Sequence, residues 1–85
     1  MSKNKKPKAI ISTELTPITL GQYIGGQIKK LRKENSIGQE DLANYIGIKR
    51  TSLSNIENGK YLISIDYVKM ICDYFNVKSS ELLPF

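Results

Sequence analysis

The stretch G-Q-E-D-L-A-N-Y-I-G-I-K-R-T-S-L-S-N-I-E-N-G, from Gly38 to Gly59, decides the fold of this 85-residue chain. Leu42 and Ile46 stand four residues apart with the small Ala43 between them, a spacing that lines one face of a helix with apolar side chains. Gly47 follows where a chain leaving a helix needs a positive φ. Beyond it, Leu53 and Ile56 share one face of a second helical segment, and Arg50, Thr51, Ser52, Ser54 and Asn55 point elsewhere. The pattern predicts two short helices, over about 39–45 and 50–58, joined by a sharp turn, with Gly59 ending the second.

Outward from this pair, helical spacing continues on both sides. Thr19 and Gln22 fit a capping box, and Leu20, Ile24, Ile28 and Leu31 repeat at helical intervals, so a first helix is expected from about Leu20 to Glu34. Its weak point is Gly25-Gly26. Two interior glycines cost roughly 1 kcal/mol each against alanine, unless a neighbouring backbone needs the room. Ser64 is expected to cap a fourth helix, with Asp66 in its first turn, Ile65, Val68, Ile71, Cys72 and Phe75 facing inward, and Asn76 as a left-handed cap. A last short turn falls at about Ser80 to Leu83. Residues 1–8 have no apolar content beyond the first methionine and read as a flexible basic arm; 9–13 form a brief β-branched stretch, and Pro17 marks a break. The expected architecture is all-α: an arm over 1–19 and a compact five-helix domain over 20–85.

Thirteen basic and eight acidic residues leave a net charge of +5. Lys3, Lys5, Lys6 and Lys8 against Glu14 put +3 of that on the arm, so the arm is the basic element and attraction to phosphate is its simplest use. There is one cysteine, Cys72, and no histidine, which excludes an internal disulfide and a structural zinc site and fits a reducing compartment. Cys72 itself reads as core. No apolar run reaches the roughly 18 residues of a membrane span, and none near the N-terminus fits a signal peptide, so a cytoplasmic protein with no membrane, metal or cofactor partner is expected. Glu40 and Asp41 are adjacent and therefore point different ways, with no histidine to serve as a base, so the chain carries no catalytic constellation and is not expected to be an enzyme.

The polar residues of the second helix of the pair suit the edges of bases. Arg50 can grip guanine O6 and N7 with two bonds, Asn55 can pair with adenine N6 and N7, and Thr51 or Ser52 can bond to either or touch a thymine methyl. The alternative for Arg50 is a phosphate contact, and for Ser54 it is a capping or solvent-facing hydroxyl with no contact to DNA. Gln39 opens the first helix of the pair, where free backbone N–H groups and the helix dipole favour an anion.

Gln39, Ala43, Gly47, Leu53 and Ile56, with L-R-K-E-N at 31–35 and E-N-G-K at 57–60, resemble the helix-turn-helix family of Cro, the phage repressors and the XRE-type bacterial regulators. The resemblance implies a lambda-repressor-like fold and a regulator of transcription, a repressor rather than an activator. It also implies binding as a homodimer to an inverted repeat in double-stranded DNA through the major groove. It makes Arg50, Thr51, Ser52 and Asn55 the base-contacting residues, and Gln39, Lys49, Ser54, Asn58 and Lys60 the phosphate-contacting ones. Arg32 and Glu57 match a structural ion pair of the family, and Arg32 has phosphate contact as a second role. The lysine arm resembles the arm that embraces DNA in phage repressors.

Some residues depart from the family pattern. Lys49 and Gly38 stand where helix-capping serine or threonine is common, and the loop Tyr61-Leu62-Ile63 is more apolar than in many relatives. With Leu82, Leu83 and Phe85 it forms either a dimer surface or part of the domain's own core. The rival function is an antitoxin-like or anti-repressor module that holds a regulatory protein partner through Leu62, Ile63 and Phe85, with DNA binding secondary.

Overall fold

In the computed structural model, which describes residues 18–85, Thr19 opens the first helix with a reciprocal cap. Its Oγ accepts from the Gln22 N–H at 3.0 Å, and Gln22 Oε1 accepts from the Thr19 N–H at 2.8 Å. The helices are α1 (Leu20–Glu34), α2 (Gln39–Ile46), α3 (Arg50–Glu57) and α4 (Ile65–Phe75), followed by a 3-10 turn at Ser79–Glu81. The described residues are thus all-helical, with a single 3-10 turn where a fifth helix was expected. Lys3, Lys5, Lys6, Lys8, the stretch 9–13 and Pro17 lie outside the described residues.

All four α-helices close in the same way. A residue with positive φ follows each helix, and the next N–H reaches back to the carbonyl five residues earlier: Ile37 to Arg32, Ile48 to Ala43, Lys60 to Asn55 and Val77 to Cys72, at 2.9–3.0 Å. Gly47 and Gly59 supply that backbone after α2 and α3, and Asn76 after α4. After α1 it is Ser36, at φ 57°, a serine in the left-handed region that the sequence reading did not single out. Ile37, Ile48 and Val77 then turn their side chains back onto the core, whereas Lys60 at the equivalent place carries its charge outward.

Ile28, Leu42, Leu53, Ile71 and Leu82 are fully buried and bring every element to one core. α1 and α3 cross at Gly25: a Cβ there would collide with the Ile56 carbonyl oxygen and crowd that of Glu57, so the backbones meet with no side chain between them. That contact is why α1 runs unbroken through Gly25-Gly26, although Gly26 itself faces open space. Four expectations need correction. Ser64 occupies the N-cap position of α4 but its side chain makes no capping bond. Ile65, expected inward, is 66% exposed, whereas Phe75 is half-buried and packs against the core as expected. Ile63 and Leu82 are buried, since the chain must close over the open end of the α1–α4 core, while Leu62 and Phe85 remain outside. α2 ends at Ile46 and α3 at Glu57, one residue away from the expected bounds.

Candidate nucleic-acid interface

Burial of Leu53, Ile56 and Glu57 turns the opposite side of α3 to solvent. Lys49, Arg50 and Thr51 are exposed at its start, and Ser52, Ser54 and Asn55 are half-buried along it. Asn58 and Lys60 are exposed just past its end. The residues expected to touch bases, and all those expected to touch phosphate except Gln39 at the start of α2, therefore lie along one short helix and the turns at its two ends.

A chain of polar contacts anchors the head of this face. Arg32 on α1 donates from Nε to Glu57 Oε2 at 2.7 Å and from Nη2 to Glu57 Oε1 at 3.0 Å, and from Nη1 to the Ile37 carbonyl at 2.8 Å. Both side chains are buried, and the hydrogen bonds to Glu57 hold the guanidinium above its ordinary pKa despite burial. Gln39 adds to this: its Nε2 donates to Glu57 Oε1 at 2.9 Å, and its Oε1 accepts from Arg50 Nη1 at 3.1 Å. The amide orientation follows from chemistry, because a carboxylate only accepts and a guanidinium only donates. Arg50 is thereby held, through Gln39, by the buried pair that ties α1 to α3.

This arrangement changes what Gln39 offers an anion. The side-chain amide expected on a phosphate is turned toward Glu57, because a buried carboxylate gathers donors. The main-chain N–H groups at the start of α2 remain uncapped by Gly38, and Glu40 and Asp41 stand exposed in the same turn. Lys49 and Lys60 enter no ion pair among the described residues. At the far end of α3, Asn55 Nδ2 donates to the Tyr61 hydroxyl at 3.2 Å. Sequence reading missed both the Arg50–Gln39–Glu57 chain and the Asn55–Tyr61 bond. The first joins residues 11 and 18 apart on different elements, for which no sequence spacing is a signal.

The helix-turn-helix family model matches residues 28–82, which includes every residue of α2, α3 and α4. The chain belongs to the helix-turn-helix family, of the XRE and Cro type. Among curated relatives, antitoxin PezA of Streptococcus pneumoniae is 40% identical over 60 residues, 71% of this chain and 38% of that protein. The chain therefore spans well under half the length of that relative. The ImmF control region 10 kDa protein of Bacillus phage phi105 is 40% identical over 62 residues, covering 73% of this chain and 69% of that one. Among solved structures, SinR, the master regulator for biofilm formation, in complex with DNA, superposes with a TM-score of 0.63. It is 30% identical and covers 69% of this chain and 95% of its own.

The match gives the chain a helix-turn-helix domain of the kind found in DNA-binding transcription regulators and control proteins. No described helix is long and apolar enough to cross a membrane. Among the described residues, no three His, Cys, Asp or Glu side chains come together to hold a metal.

Proposed function

We propose that two copies of this domain bind an inverted repeat and act as a repressor, each placing α3 in the major groove. Arg50, Thr51, Ser52 and Asn55 read bases, while Lys49, Ser54, Asn58, Lys60 and the main-chain N–H of Gln39 hold phosphates, the Gln39 side chain instead steadying Arg50, and the arm lysines add attraction that is blind to sequence. The observation that carries this reading is the Arg50–Gln39–Glu57 chain. An exposed arginine at the head of a short helix, steadied by a partner rooted in the core, is preorganised for a planar two-bond contact such as guanine offers. One such helix covers too few base pairs for specificity, so two half-sites about 34 Å apart are required. Exposed Leu62 and Phe85 are available for the contact between copies.

Selection of bound duplexes from a random pool at physiological salt tests this. The expected product is a palindrome with half-sites about one helical turn apart; binding that only weakens with salt and enriches nothing would sink the proposal. A second reading, a module that holds another protein, draws on Leu62 and Ile65, which are 57% and 66% exposed, and on the relative named as an antitoxin. Co-purification of a stoichiometric partner, lost in Leu62→Asp, would favour it.

A further inference from the structure

Tyr61 lies outside α3, yet its phenol oxygen accepts a hydrogen bond from Asn55 Nδ2 at 3.2 Å. The loop that carries it is tied down independently. The Lys60 N–H donates to the Asn55 carbonyl at 2.9 Å, and the Tyr61 backbone lies against Gly21 of α1, 3.4 Å from where a Cβ would stand. The Tyr61 side is 46% exposed and Asn55 is half-buried, so this bond lies at the edge of the outer face of α3.

The last torsion of an asparagine is broad and two-fold, so its rotamer does not decide whether oxygen or nitrogen meets a base. A phenol can both donate and accept, and alone it tolerates either orientation of the amide. A DNA phosphate removes that freedom. Its oxygens only accept, so a phenol docked on phosphate gives its proton there and is left to accept from Asn55. The amide must then keep one Nδ2 hydrogen on Tyr61 and present Oδ1 and its other N–H elsewhere.

Building on the proposed DNA reading, we infer that Tyr61 gives its hydroxyl proton to a DNA phosphate and so is a positioning residue for base recognition, locking the Asn55 amide so that Oδ1 and one N–H face the groove. Oδ1 needs a donor and the N–H an acceptor. Adenine, with N6–H and N7, satisfies both, whereas guanine presents acceptors at O6 and N7 and leaves Oδ1 facing an oxygen. Sequence preference at this position is thus set partly by a residue that touches only the backbone of DNA.

The test uses the operator selected by the full chain and measures affinity for all four base pairs at each position. Asn55→Ala identifies the pair that Asn55 reads. Tyr61→Phe, which keeps the ring and removes only an exposed hydroxyl, is expected to leave the melting temperature unchanged. It should relax preference at that same pair by about tenfold and leave the pair relaxed by Arg50→Ala intact. An equal loss of affinity on every sequence would make Tyr61 a phosphate contact only and overturn the inference, as would an unchanged preference at the Asn55 pair. If the wild-type chain selects no operator, the DNA-reading proposal itself falls.

Discussion

Arg32 and Glu57 meet as a two-pronged ion pair, 2.7 and 3.0 Å between donor and acceptor atoms, with both side chains buried between the last turn of α1 and the end of α3. A buried pair orients more than it stabilises, and its cost appears when one partner is removed. Glu57→Ala strands a guanidinium and also frees Gln39. It is expected to cost about 3–5 kcal/mol in urea unfolding, enough to unfold much of so small a domain. The paired replacement Arg32→Met with Glu57→Leu should recover most of that loss. A cost below about 1 kcal/mol for Glu57→Ala would mean the pair is solvated.

Adjacent glycines on α1 should respond in opposite directions. Gly26 faces open space, so Gly26→Ala is expected to stabilise by about 0.5–1 kcal/mol through helix propensity. Gly25→Ala gains the same propensity but drives a methyl into the Ile56 carbonyl, and overpacking of this kind costs about 1–3 kcal/mol or more. Thermal melts of the two variants check the contrast. Stabilisation by Gly25→Ala would show that α1 and α3 do not touch there.

Contacts to bases and contacts to phosphate are separable on the selected operator. Arg50→Ala should cost about 1–3 kcal/mol and relax one base position, whereas Lys60→Ala should weaken all sequences alike and reduce the salt slope by about 1. Gln39→Ala removes the carbonyl that steadies Arg50 and should relax the same position as Arg50→Ala by a smaller amount. If Gln39→Ala instead reduced only the salt slope, Gln39 would be a phosphate contact and not a support for Arg50.

Cys72 lies 7% exposed in the core, and burial, with the neighbouring Asp73 carboxylate adding to it, pushes its thiol above the ordinary value of 9.0. The folded state therefore holds this proton more tightly than the unfolded chain does. Stability from this group is complete below pH 9.0 and is lost as pH rises toward the folded pKa. Unfolding free energy of the wild type should fall faster than that of Cys72→Ala above this pH. Alkylation of the native thiol at neutral pH should be slow and limited by opening of the core. Rapid labelling without unfolding would contradict this placement.

Most of the helical frame was legible because it depends on local chemistry. The Thr19–Gln22 cap, the Leu42–Ile46 spacing and the positive φ at Gly47 each involve residues within one or two turns of each other, where side-chain type and interval suffice. Ser36 was not legible, since serine carries little signal for the left-handed backbone it adopts after α1. Leu62 and Ile63 show the limit more sharply. The two are adjacent and equally apolar, yet Ile63 enters the core and Leu62 stays 57% exposed, because the direction of a loop depends on what the chain packs against.

The sequence by itself determined an all-helical domain with a glycine-turned helix pair, the polar outer face of its second member and its family, because these rest on periodicity, turn chemistry and a dense local motif. Only the tertiary structure decided how that face is held. Gln39, Arg50 and Glu57 become one polar chain, and Gly25 becomes a contact between backbones, because α1, α2 and α3 converge on a single buried carboxylate. A buried charge must collect its donors from whichever elements surround it, and which elements those are depends on the packing of the whole domain.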